Sequence, residues 1–195
     1  MQQHLAWKPC HTPGMENLRL RHDDCGIHAS SHLIQSLSGH SIAATYVLNC
    51  DPRWRFRRLW LQVDNHGRRS LTLDRDIRGH WFLNGEPRPD LLDCQQAMLS
   101  ASPFTHTPAL QHYALETGQK VELQVAWVDL FDFKVEVRRQ RYHCLRRQAG
   151  RTVYSHEAEG RPASEMIVDD DALLIESSGQ YLRQTARTLR AGRPA

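Results

Sequence analysis

A chain of 195 residues with 40% hydrophobic content holds enough apolar material for one large domain, or at most two small ones. Twenty-five basic residues nearly balance twenty-two acidic ones, for a net charge of +3, so nothing demands a nucleic-acid partner. The opening residues lack a cationic region followed by an apolar run, and no apolar run approaches the roughly 20 residues of a membrane span, so the expected setting is the cytoplasm.

In chain order, residues 1–16 read as a lead-in carrying Pro9, Pro13 and Gly14. Leu18 and Leu20 alternate with Asn17, Arg19 and Arg21, the period of a half-buried strand. Asp23, Asp24 and Gly26 then make a turn. Ile27 to Leu37 forms a second strand, broken at Ser38 and Gly39. Ile42, Ala44, Tyr46 and Leu48 face one way in a third, which stops at Asp51 and Pro52. Trp54 to Val63 reads as one strong fourth strand, with Trp54, Phe56 and Arg58 on one face and Leu59, Leu61 and Val63 on the other.

Asn65, His66 and Gly67 predict a hairpin turn, and the strand returns from Ser70 to Asp74. His80 to Leu83 adds a short strand before the Asn84-Gly85 hairpin signal. Between Asp90 and Gly118 the pattern changes. Ser102 is placed to cap a helix, and Pro103 suits its first turn, where a missing N–H costs nothing. Phe104, Thr107, Leu110 and Ala114 follow at helical spacing, and Gly118 is the expected stop. Strand alternation resumes from Val121 to Trp127 and from Phe131 to Val137, extending through Tyr142 and Cys144. Shorter strands are expected at Thr152–Glu157, Met166–Val168 and Ala172–Glu176, with a turn at Asp169-Asp170-Asp171. The basic tail, 187–195, is expected to fray. About ten strands and one helix give a mainly β, α+β architecture. The reading is a many-stranded, curved antiparallel sheet wrapped around one central α-helix, in a single domain spanning 1–195.

Known catalytic and cofactor signatures are absent from the sequence. Twelve histidines and five cysteines contain no H-E-x-x-H, H-x-H or C-x-x-C spacing, so neither a metal site nor a cofactor is expected. His28 and His32 share a strand face about 13 Å apart, too far to hold one ion. The five cysteines are expected to be reduced core residues. No G-x-S-x-G, P-loop or dinucleotide fingerprint occurs. Arg53 to Arg58 interleaves cations with aromatics, but strand alternation would divide them between two faces. Carboxylates at strand ends and turns, Glu16, Asp51, Asp90, Asp93, Asp129 and Asp132, are placed to gather at the mouth of a curved sheet, where each offers acceptors to sugar hydroxyls.

The segment CQQAMLSASPFTHT, Cys94 to Thr107, resembles a run found in the bacterial family described as "putative glycolipid-binding". Supporting matches are Gly14-Met15-Glu16 after Trp7, Asp51 with Trp54 and Arg55, Gly79-His80-Trp81, Pro89 with Leu91 and Leu92, Val125 to Val128, and Gln140-Arg141-Tyr142. The resemblance covers roughly residues 6 to 183. It implies a sheet wrapped on one helix, remotely similar to lipoprotein carriers, a homodimer, and an acidic pocket for a glycolipid or sugar. This sequence departs from the family at Gln95 to Met98, where an acidic strand is usual, at His106, where Asn is common, and over the His/Ser-rich stretch 28–41.

The expected function is therefore binding of an amphiphile such as a glycolipid. Glu16, Asp93, Gln95 and Thr105 are the expected polar contacts, and Trp54, Trp81 and Phe104 the expected walls. Arg55 is expected to neutralise a nearby carboxylate. The alternatives are a glycoside hydrolase, which needs two carboxyls about 5 to 9 Å apart, and an interaction protein without a ligand.

Overall fold

The computed structural model describes residues 2–37, 40–65 and 67–184. Ser38, Gly39, His66 and the basic tail lie outside the described residues, and with them the expected strand break and the fraying of 187–195. The described chain forms fifteen strands and one α-helix. The first eight strands are β1 (Gln2–Pro9), β2 (Gly14–Asp23), β3 (Gly26–Leu37), β4 (His40–Cys50), β5 (Phe56–Asp64), β6 (Arg68–Arg75), β7 (Trp81–Leu83) and β8 (Glu86–Pro87). β9 (Cys94–Leu99) leads into a 3₁₀ turn, Pro103–His106, that runs on into α1 (Thr107–Tyr113). The remainder is β10 (Lys120–Asp129), β11 (Lys134–Gln148), β12 (Arg151–Ala158), β13 (Ser164–Val168), β14 (Leu174–Ser177) and β15 (Tyr181–Gln184).

All fifteen lie in one open, curved sheet with β8 and β9 at its edges. Its halves are two meanders joined where β1 pairs with β15, Trp7 opposite Arg183. Trp7 is fully buried there, and its indole N–H donates to the Leu174 carbonyl at 2.8 Å. Residues 1–16, read above as a lead-in, thus hold a paired strand. Only Leu5 and Trp7 mark it as such among Gln, His and Lys, and its partners lie elsewhere in the chain.

Among the described strand pairs, β9 and β10 alone run parallel. A parallel pair needs a crossover, and the helical segment supplies it. Phe104, Thr107, Ala109 and Leu110 of that segment are buried. Phe104, Ala109 and Leu110 share one apolar core with inward sheet residues such as Leu18, Ile42, Leu61 and Val125. Burying Phe104 and Leu110 contributes about 2 kcal/mol each.

Several details of the sequence reading change. Trp54 and Arg55 precede β5 instead of starting it. A bulge also pairs Cys50 with Phe56 but Asn49 with Arg58, so Phe56 joins Leu59, Leu61 and Val63 on the inner face. The helix ends at Ala114, in the left-handed conformation at φ 43°, four residues before Gly118. Ser102 is the extended N-cap residue, yet its side chain makes no cap bond, because its hydroxyl is committed elsewhere. All five cysteines are free; Cys50, Cys94 and Cys144 are buried, whereas Cys10 and Cys25 are exposed.

The β2–β3 turn depends on Gly26, with φ +132°. A Cβ at this position would lie 2.3 Å from the Cys50 carbonyl oxygen. Gly26→Ala is expected to cost about 2 kcal/mol or more. A urea titration checks this, and an unchanged midpoint would contradict the close approach.

Candidate functional site

Glu16 occupies an inward place in β2, in line with Leu18 and Leu20, so its carboxyl enters the core. Oε1 accepts three hydroxyls, from Ser31 at 2.8 Å, Tyr46 at 2.6 Å and Ser102 at 2.8 Å. Oε2 is buried and has no partner among the described residues. Burial pushes the carboxyl up to about 7, against the lowering effect of the three hydroxyl bonds. The Tyr46 hydroxyl is raised well above its ordinary value by burial and then by Glu16. The node ties β2, β3 and β4 to the start of the helical segment. Thr105 adds a second tie: its hydroxyl donates to the Ser102 carbonyl at 2.8 Å and accepts the Leu99 amide at 3.2 Å.

Trp54 stands apart from this node. It has φ 60°, a conformation that costs a bulky residue strain. Its loop is held from several sides. Asp51 Oδ1 accepts the amides of Arg53 and Arg55, each at 3.0 Å, and Oδ2 pairs with Arg57 at 2.6 Å. Gln96 of β9 donates to the Trp54 carbonyl at 2.9 Å, and His112 of α1 donates to the Arg53 carbonyl at 2.9 Å. The Trp54 ring meets His22 edge-on at 6.1 Å.

A groove of about 280 Å³ opens beside that ring, lined also by Gln3, Leu20, His22, Gln111, Asp170 and Asp171. Gln3 donates to the Asp171 carboxylate at 2.8 Å, and Gln111 to the Asp171 carbonyl at 2.7 Å. Asp169 shapes the turn behind them, accepting the amides of Asp171 and Leu173 at 3.0 Å and pairing with Arg183 at 2.5 Å. A second hollow of about 140 Å³ shares Gln111 and Asp170 and is bordered by Leu110, Tyr154, Val168 and Ala172. The groove thus joins an aromatic face, the apolar side chain of Leu20, carboxylates and amides, the chemistry of a site for a hydroxylated molecule with an apolar part.

A larger hollow of about 450 Å³ lies against β10, β11 and β12. Its charges answer one another, Arg141 pairing with Glu122 at 2.5 Å and with Glu157 at 3.1 Å.

The structure divides the expected site residues. Glu16 and Thr105 meet around Ser102, with Phe104 fully buried beside them in the chain. Trp54 lines the groove. Trp81 is in the core, stacked on Phe56 at 5.0 Å, and donates to the Cys94 carbonyl. Gln95 is exposed and accepts the Tyr113 hydroxyl; Asp93 and Arg55 are exposed. Of the groove's other residues, the acidic run 169–171 was legible only as a turn, and Gln3 and Gln111 gave no local signal.

Taken together, a curved sheet over one short helix with an aromatic and acidic groove defines a β-rich ligand-binding protein. The chain belongs to the family described as "putative glycolipid-binding", whose sequence profile matches residues 4–183. Its fold is similar to the crystal structure of a DUF1089 family protein from Pseudomonas aeruginosa, with a TM-score of 0.77 and 28% identity over 88% of this chain and 92% of that one. No curated protein matches the chain.

Proposed function

We propose that this protein binds an amphiphile bearing a sugar, such as a glycolipid, in the groove beside Trp54, acting in the cytoplasm as a homodimer of single-domain chains. The observation that carries the reading is the Trp54 loop. A strained aromatic is held at the groove by bonds from β9 and α1, which prepares a stacking face before any ligand arrives. Asp170, Asp171, Gln3 and Gln111 supply acceptors and donors for hydroxyls. Leu20 and the Trp54 ring supply the apolar contact. The family description supports a ligand of this kind. Glu16 and Thr105 serve this reading by fixing the helical segment that carries Gln111.

Calorimetric titration with monomeric octyl glucoside, compared with glucose and octanoate alone, tests the proposal. The expected result is measurable binding of the amphiphile that weakens at least about tenfold in Trp54→Ala, the size of an aromatic contact at a binding centre. Equal affinity in Trp54→Ala would remove the groove from the account.

A further inference from the structure

A fourth, smaller chamber lies where β9 passes into the helical segment, bounded by Ser102 and Pro103 on one side and by β10, β11, β12 and residues 158–164 and 180–181 on the other. Its volume is about 60 Å³. That is room for a few waters or one small ion, far below the roughly 300 Å³ at which sites for whole small molecules begin. Among the described residues, no carboxylate lines it.

Donor-bearing side chains line this space. Gln140 is fully buried; its amide oxygen takes the His156 Nε2–H at 2.7 Å, and its Nε2 has no partner. The Trp127 indole N–H, also among the lining residues, is buried and unpartnered as well. Two buried orphan donors at one small cavity are costly unless something accepts from them. Two guanidinium groups complete the lining. Arg138 lies over the Trp127 ring at 4.8 Å and is paired with Glu136 at 2.5 Å. Arg161, on the turn between β12 and β13, makes no ion pair among the described residues and supplies the uncompensated charge. Burial holds both imidazoles of the lining neutral, His156 down at about 4 and His106 well below its ordinary value. Two carboxylates stand behind the lining: Glu136, paired with Arg138, and Glu16, whose Oε1 accepts the Ser102 hydroxyl.

We propose that this chamber is an oxyanion site, taking a phosphate or carboxylate group on the Gln140 amide N–H, the Trp127 indole N–H and the Arg161 guanidinium. Charge-assisted bonds to such a group would satisfy both orphan donors at once. The group is either a free ion or the anionic end of a larger ligand, and the site is separate from the Trp54 groove.

The Trp127 indole N–H resonance, assigned through Trp127→Phe, reads occupancy directly. The test titrates the full chain with inorganic phosphate and, separately, with dihexanoyl phosphatidic acid, up to about 10 mM, the weak end of specific binding. A saturable shift with phosphate identifies a free-ion site; a shift with the phosphatidic acid alone identifies a headgroup site. In either case Arg161→Ala, on an exposed turn and so expected to fold, should weaken binding by about tenfold. No saturable shift with either probe, or undiminished affinity in Arg161→Ala, overturns the proposal.

Discussion

Glu16→Gln should gain stability relative to the parent protein as pH rises from 4.5 through 7, because it lacks much of the parent's decline over that range. The cause is the buried carboxyl, raised from 4.5 to about 7 chiefly by burial. A folded state that holds a proton more tightly than the unfolded chain gains stability at low pH. That contribution is fully present below 4.5 and is lost as pH rises through about 7. The gap corresponds to about 3 kcal/mol. Glutamine keeps a carbonyl for the hydroxyls of Ser31, Tyr46 and Ser102 and places an uncharged amide where Oε2 lacks a partner. Urea midpoints of parent and variant at pH 5 and pH 8 decide the matter. The difference between them should widen in the variant's favour with pH, since every other titrating group is common to both. A difference independent of pH would mean that Glu16 titrates normally.

Trp81→Ala is expected to cost about 3 to 5 kcal/mol, in the range of large aromatic deletions from a core. The loss is more than packing against Phe56. The sheet is open between β8 and β9, and side chains bridge the gap where no backbone ladder runs. The Trp81 indole donates to the Cys94 carbonyl at 3.1 Å, Arg88 to the Val135 carbonyl at 3.0 Å, and Arg69 to the Phe131 carbonyl at 3.3 Å while stacking on Phe133 at 4.6 Å. Trp81→Phe isolates the indole bond and should cost about 1 to 2 kcal/mol, with faster amide exchange in β9. If Trp81→Phe unfolds at the parent midpoint with unchanged exchange, the bridge has no energetic role. Pro87 in β8 lacks the N–H with which another chain could extend that edge.

The β-dominated class was legible because the inner faces announce themselves. Leu18 and Leu20, and Ile42 through Leu48, alternate cleanly, and both Asn84 and Gly85 adopt the positive φ, 53° and 85°, that a tight hairpin requires. The expected ten strands became fifteen because β1, β8, β9 and β15 are short or polar, and pairing with distant partners is what makes them strands. The bulge at Cys50 and Phe56 escaped notice for a related reason, since it exists only relative to the neighbouring strand. Ser102 was recognisable as the residue before the helix, but the carboxylate that takes its hydroxyl lies 86 positions away. The site shows the same limit. Trp54 stood out as a candidate wall, though at the head of a strand, whereas Gln3, Gln111 and Asp171 join it only through the pairing of the two meanders.

That pairing bears on how the chain is made. During synthesis β1 precedes the strand that will cover its free side, and the Leu174 carbonyl that receives the Trp7 indole follows 167 positions on. The first meander must therefore wait, until those residues are made, with an unsatisfied border and a wet tryptophan. Contacts spanning so much sequence make for slow maturation and for a nascent intermediate prone to associate with its own kind.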